Sequence, residues 1–239
     1  MSNDFLLIAH RGGLFHKPEN SCAAFQFCVD NGVEWVECDV RLTSDGCPVV
    51  VHDDRVPLNG EKVAVRDLTF AELESYKFGE GERVPLLADV LKEFGASLRF
   101  NLEIKELDAA RRIMALIQEL GLESRVIITS FLPDVLDECR NLNPTIERGL
   151  LIDRLAGRLS GRQNVIQGAI LLGCRYLMLH FHRVNPDLTQ EAHREGLLVI
   201  PWTVNLRADI DRMRRCGVDG LITDKPLYVR AKLAGLKAQ

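Results

Sequence analysis

The chain has 239 residues, 46% of them hydrophobic and 27% charged, with a mean hydropathy of −0.02 and a formal net charge of −4. A chain of this length can bury a sizeable core, and barrels of roughly 250 residues fold as one domain. The acidic balance argues against a general nucleic-acid binder, which needs a basic face, but leaves room for a local basic pocket that holds one phosphate. The opening MSNDFLLIAH carries a short apolar run with no basic flank, so it reads as neither a signal peptide nor a membrane span. Strand-length apolar runs then recur: FLLIA (5–9), VEWVECDV (33–40), PVVVH (48–52), SLRFNLEI (97–104), RVIITS (125–130), IERGLLI (146–152), RYLMLH (175–180), LLVIPWTV (197–204) and VDGLIT (218–223). Helical spacing fills the gaps. Ile113, Leu116, Ile117 and Leu120 fall on one face of ARRIMALIQEL, Gly121 follows as a C-terminal stop, and residues 163–172, 187–195 and 206–216 read the same way.

Eight strand–helix units result if PVVVH is set aside as an extra strand. Strands apolar on both faces suit a closed parallel sheet wrapped by helices, so the predicted fold is α/β, a (β/α)₈ TIM barrel. An open doubly wound sheet is the alternative. It would usually carry a glycine-rich phosphate loop after the first strand, and HRGG is not that pattern. Residues 53–85 break the rhythm with polar, loop-like sequence and a short helical piece, DLTFAELESY, capped by Asp67 or Thr69. They read as a small insertion over the barrel mouth within a single domain spanning 1–239. The seven cysteines are odd in number, scattered and never spaced Cys-x-x-Cys, as expected of free thiols in a reducing cytoplasm.

In a barrel, chemistry gathers at the carboxyl ends of the strands. His10 and Arg11 follow the first strand, and His52 and Asp53 follow PVVVH. Glu37 and Asp39 end the second strand two residues apart and point the same way; Asn101, Glu103 and Lys105 repeat the arrangement on the third. Three carboxylates aimed into one mouth repel each other and call for a cation. Oxygen ligands without paired thiols favour Mg²⁺ or Ca²⁺ over zinc. A plain Lys105–Glu103 salt bridge is the alternative, and it leaves Glu37 and Asp39 unexplained. Two histidines suit paired acid and base work, and Arg11 offers a fork for phosphate. Together these groups describe a site for displacement at phosphorus.

The segments HRGG, HKPENSCAAF and NGVEWVECDVRLTSDGCPVVVHDD resemble the signature of the glycerophosphodiester phosphodiesterases, and NLEIK, WTVN and DGLITDKP resemble its later motifs. The ordered set spans almost the whole chain. The resemblance implies a (β/α)₈ barrel that binds one divalent cation, Mg²⁺ or Ca²⁺, and hydrolyses small glycerophosphodiesters to glycerol 3-phosphate and an alcohol such as choline or ethanolamine. It implies His10 and His52 as the acid/base pair, Glu37, Asp39 and Glu103 as metal ligands, and Arg11 and Lys105 as phosphate holders. Glu19 and Asn20 match its PEN element, which supports the first loop, and Trp202 matches its aromatic near the substrate. After the HD pair many members carry R-T-T-x-G where this chain reads DRVPLNGEKVAV, a departure that bears on substrate range. A phosphoinositide-type phospholipase C and a non-catalytic phosphodiester-binding barrel are the rival readings. The first would need inositol contacts and usually a membrane-facing surface, and no basic amphipathic helix stands out. The second would be signalled by loss of either histidine. No stable membrane association is expected, and the sequence leaves the oligomeric state open.

Overall fold

The computed structural model describes residues 5–58, 60–153 and 161–235. Side chains alternate sides along a strand, so a strand apolar on both sides must be covered on both. The chain meets this demand with eight parallel strands, each followed by a helix. The strands are β1 (Leu6–Ala9), β2 (Trp35–Leu42), β3 (Arg99–Ile104), β4 (Val126–Ser130), β5 (Glu147–Ile152), β6 (Tyr176–Leu179), β7 (Leu198–Val199) and β8 (Gly220–Thr223). The helices are α1 (Cys22–Asp30), α2 (Leu87–Phe94), α3 (Ala110–Glu119), α4 (Pro133–Leu142), α5 (Arg162–Leu171), α6 (Pro186–Arg194), α7 (Arg207–Arg215) and α8 (Pro226–Gly235). Strands pair in chain order from β1 to β7, and β1 also pairs with β8. Backbone hydrogen bonds from Asp219 to Val199, Ile222 to Pro201 and Val204 to Ile222, each 2.9 Å, draw β7 and β8 together. The result is a nearly closed TIM barrel, as the sequence pattern predicts.

Two apolar layers follow from the alternation. Val36, Cys38 and Val40 of β2 and Phe100, Leu102 and Ile104 of β3 pack with Leu87, Val90, Ile113 and Ile117 of the helices. Ile8, Ile127, Leu151, Met178, Ile200 and Ile222 fill the barrel interior. Between β2 and α2 the chain forms a third cluster built on Val49, Val56, Val65, Leu68, Leu73 and Val84. Pro48–Val50 pairs antiparallel with the end of β2, and two further hairpins and a short helix, Phe70–Leu73, lie beyond it. Thr69, not Asp67, caps that helix: its side chain accepts from the Glu72 amide while Glu72 reaches back to the Thr69 amide. Asp67 belongs to the preceding 3₁₀ turn.

The run expected as one strand over 197–204 is regular only at Leu198–Val199. Pro201 has no N–H to offer a ladder, so the chain continues through single bonds from Ile200 to Leu177 and Trp202 to Leu179. Helix α3 ends at Glu119, with Gly121 at φ 64°, where a left-handed stop is needed. Among the described residues no helix is long and apolar enough to cross a membrane.

Candidate active site

Inward positions at the carboxyl ends of the strands surround a cavity of about 300 Å³. Its walls include His10, Arg11, Glu37, His52, Glu103, Lys105 and Trp202, drawn from positions 10 to 202 of the chain. The first loop turns sharply to bring two of these into place. Arg11 sits at φ 50° and Gly12 at φ 78°. A Cβ at Gly12 would lie 2.7 Å from the Ala24 Cβ, so the turn packs against α1 only with glycine there. The left-handed Arg11 aims its backbone N–H at Glu37 Oε2, 2.9 Å away.

Strand β2 supplies Glu37 and Asp39, and β3 supplies Glu103; all three are buried. One ligand oxygen from each lies within 4.8 Å of the others, a spacing one cation can bridge. Burial, with the charges of Asp39 and Glu103 added to it, pushes the Glu37 carboxyl up to about 8. Burial likewise raises Glu103. Burial opposes the Asp39 charge too, but Lys105 and Arg11 overcome it and hold Asp39 at about 2. Glu37 Oε1 is buried with no hydrogen-bond partner among the described residues. A desolvated carboxylate oxygen with no donor costs free energy that a cation would recover, so the donor set fits a hard divalent ion.

The basic groups are engaged by these acids. The Lys105 ammonium contacts Glu103 and sits 2.8 Å from Asp39 Oδ1. Arg11 grips both oxygens of Glu19 at 3.0 and 2.9 Å, and its Nε is 3.2 Å from Asp39 Oδ2, close enough for charge attraction without hydrogen-bond alignment. Asn20 donates to Asp39 Oδ2 at 2.9 Å and its backbone N–H reaches the Arg11 carbonyl. Glu19 and Asn20 thus tie the first loop to β2. Lys105 and Arg11 both border the cavity, with their charged ends held on carboxylates.

His10 lies 3.9 Å from Glu37 through Nε2, while its Nδ1 is 2.6 Å from Asp224 Oδ1. A carboxylate only accepts, so Nδ1 carries the hydrogen in this pair. Burial alone would lower the imidazole pKa, but the Asp224 hydrogen bond and the Glu37 charge prevail and raise it. Asn205 holds Asp224 in turn, donating to its other oxygen at 2.5 Å and accepting from its backbone N–H at 2.9 Å. Neither residue was singled out by sequence reasoning. Their signal was position: each is a polar residue just past a barrel strand, inside the WTVN and DGLITDKP segments. His52 faces the cavity from the end of the extra strand, its Nδ1 2.9 Å from Asp53. Trp202 donates from its indole nitrogen to the Met178 carbonyl at 3.0 Å and meets Phe131 edge-on. Its ring is therefore fixed, half-buried, as part of the cavity wall. Phe131, Thr129 and Asp153 also border the cavity and escaped the sequence reading.

The arrangement offers an oxygen site for a cation, two imidazoles and two basic groups around one space. Residues 10–228 match the model of the glycerophosphoryl diester phosphodiesterase family. A glycerophosphodiester phosphodiesterase of Caldanaerobacter subterraneus subsp. tengcongensis is 35% identical, covering 92% of this chain and 94% of its own. Crystal structures of glycerophosphodiester phosphodiesterases from Parabacteroides distasonis and Thermotoga maritima superpose with TM-scores of 0.86 and 0.80, at 26% and 28% identity. They cover 99% and 95% of this chain and 99% and 98% of their own. The chain belongs to the glycerophosphoryl diester phosphodiesterase family.

Proposed function

We propose that this protein hydrolyses small glycerophosphodiesters, such as glycerophosphocholine or glycerophosphoethanolamine, to glycerol 3-phosphate and the free alcohol. The observation that carries the reading is the convergence of His10, His52, Glu37 and Glu103 on one cavity, with Asp39 completing the acidic group behind it. Phosphodiesters resist hydrolysis because anionic oxygens repel a nucleophile and the alkoxide leaves poorly. One divalent cation, Mg²⁺ or Ca²⁺, held by Glu37, Asp39 and Glu103 would supply positive charge against the phosphate oxygens. Arg11 and Lys105 stand beside that position to add theirs. His10, oriented by Asp224, and His52, oriented by Asp53, serve as acid and base. One takes the proton of the glycerol 2-hydroxyl as its oxygen bonds to phosphorus. The other protonates the head-group oxygen as its bond to phosphorus breaks. The tethered hydroxyl gains a large effective molarity over free water. Water then opens the cyclic glycerol phosphate with the two roles reversed. Trp202 walls the glycerol or head-group side of the cavity.

The family match and its extent favour this reading over a phosphoinositide-type phospholipase C, and the two histidines facing one cavity favour it over a barrel that only binds. The net charge of −4 supports a small-molecule substrate and no nucleic acid. Seven free cysteines support a cytoplasmic setting. The test is release of glycerol 3-phosphate from a panel of glycerophosphodiesters with and without EDTA. Activity should vanish with EDTA and return with Mg²⁺ or Ca²⁺, and His10→Ala or His52→Ala should lower kcat by ~10²–10⁴-fold. Turnover at a normal rate by a substrate whose 2-hydroxyl is methylated would rule out the cyclic route and leave direct attack by water.

A further inference from the structure

Strand β2 does more than carry two acids. Glu37, Asp39 and Arg41 fall at i, i+2 and i+4 and so share one side of it. The strand that leads to His52 lies antiparallel to β2, with ladder pairs ending at Val40–Val50. One last backbone bond follows, from the Val51 N–H to the Asp39 carbonyl at 3.0 Å. Past it the His52 carbonyl is met by a side chain: Arg41 Nε donates to it at 2.9 Å. The same guanidinium is anchored at its other end, NH1 lying 3.2 Å from Glu106 Oε1, and Glu106 directly follows Lys105 at the end of β3. Arg41 borders a neighbouring cavity of about 730 Å³ rather than the one containing the histidines. It is therefore placed to act on the backbone that carries His52 and not on substrate.

We propose that Arg41 is a positioning residue for His52, clamping the His52 carbonyl so that the imidazole faces the cavity, with Glu106 holding the clamp in register with β3. The peptide segment 51–52 is thereby gripped twice from β2, by the Asp39 carbonyl on one side and the Arg41 side chain on the other. A planar guanidinium can donate to both the carbonyl and the carboxylate at once, which an ammonium on a flexible stem does less well. The inference rests on the reading of His52 as an acid or base in phosphodiester hydrolysis.

The test compares Arg41→Met, Arg41→Lys and Glu106→Gln with the wild type, using glycerophosphocholine and Mg²⁺. Arg41→Met should lower kcat at least about fivefold while KM and the half-saturating Mg²⁺ stay within about twofold, and Arg41→Lys should recover part of the loss. In a His52→Ala background, adding Arg41→Met should change kcat by less than about twofold, because the group it positions is already gone. Amide hydrogen exchange over residues 51–54 should quicken in Arg41→Met and, less so, in Glu106→Gln, at unchanged thermal midpoint. An undiminished loss in the His52→Ala background, or wild-type kcat and exchange in both Arg41→Met and Glu106→Gln, would overturn the proposal. If the wild type releases no glycerol 3-phosphate, it is the functional reading that fails. The exchange comparison then decides by itself whether Arg41 holds this segment.

Discussion

Asp224 fixes one nitrogen of His10 and leaves the other toward Glu37, so the orientation of this imidazole depends on a carboxylate 214 positions away in the chain. Asp224→Asn keeps the shape but can present an amide N–H where the ring needs an acceptor. It should lower kcat by roughly 10–100-fold, as loss of an orienting partner commonly does, with little change in the metal requirement. A kinetic titration of Mg²⁺ against both forms checks this. Glu37 gives a pH prediction. Its folded pKa, about 8 against an ordinary 4.5, is raised, so its ionised form is disfavoured in the fold. Without metal, stability should fall as pH rises from about 4.5 to about 8, where the unfolded chain has released a proton that the native state still holds. The raised pKa values of Glu103 and His10 act in the same direction: the His10 contribution is present below its ordinary 6.5 and is lost as pH passes the higher folded value. Melting curves in EDTA from pH 5 to 8 should slope downward. Glu37→Gln should make the slope shallower, and a saturating divalent cation should do the same, leaving the part that His10 contributes; a flat EDTA profile in the wild type would contradict the assignment.

At the scale of elements, the segment between β2 and α2 has an apolar cluster of its own, apart from those of the barrel. Its apolar side chains Val56, Val65, Leu68 and Leu73 pack with Val49 of the strand that delivers His52. The short helix depends on its caps, since four residues cannot sustain a helix by propensity. Thr69 and Glu72 close a capping box, and Asp45 from the preceding hairpin accepts from the Phe70 amide at 3.1 Å. Thr69→Ala should cost about 1 kcal/mol locally. The effect belongs in faster amide exchange at residues 70–74, with the global midpoint nearly unmoved, because the barrel does not unfold with this helix. A large drop in the global midpoint would mean that the helix is coupled to the whole fold.

For the whole molecule, the layer between strands and helices holds the largest cluster of buried apolar side chains among the described residues. Phe100 is fully buried there, edge-on to Phe25 of α1 with 6.0 Å between ring centroids. Its strand neighbours in sequence, Asn101 and Arg99, belong to other environments, so nothing polar is available to refill its place. Phe100→Ala should destabilise by about 3–5 kcal/mol, measured by urea unfolding, while leaving the side chains of Asn101 and Glu103 on the opposite side of β3 in place. The same reasoning explains why the barrel tolerates a charged mouth. The interior cluster is apolar, at Ile8, Ile127, Met178 and Ile222, while Glu37, Asp39 and Glu103 gather into one acidic group beside the mouth cavity, close enough together for one cation.

Periodicity alone determined the eight strand–helix units, the extra strand at PVVVH and the interruption at 53–85, because burial on both faces of a strand leaves its mark on every residue. Residue type at strand ends also singled out His10, His52, Glu37, Asp39 and Glu103, since acids two positions apart must share a side. Tertiary structure decided what those residues touch. Asp224 reaches His10 because β8 lies beside β1, and Asn205 reaches Asp224 because β7 lies beside β8. The engagement of Arg11 by Glu19, and of Lys105 by both Asp39 and Glu103, was equally invisible in the chain order. The break in β7 is different: Pro201 stands in the LLVIPWTV run itself, and the donor it lacks was legible there beside its apolar neighbours. Hydrophobic pattern is a local quantity written along the chain, whereas hydrogen-bond partnership depends on which strand ends the closure of the barrel brings within 3 Å.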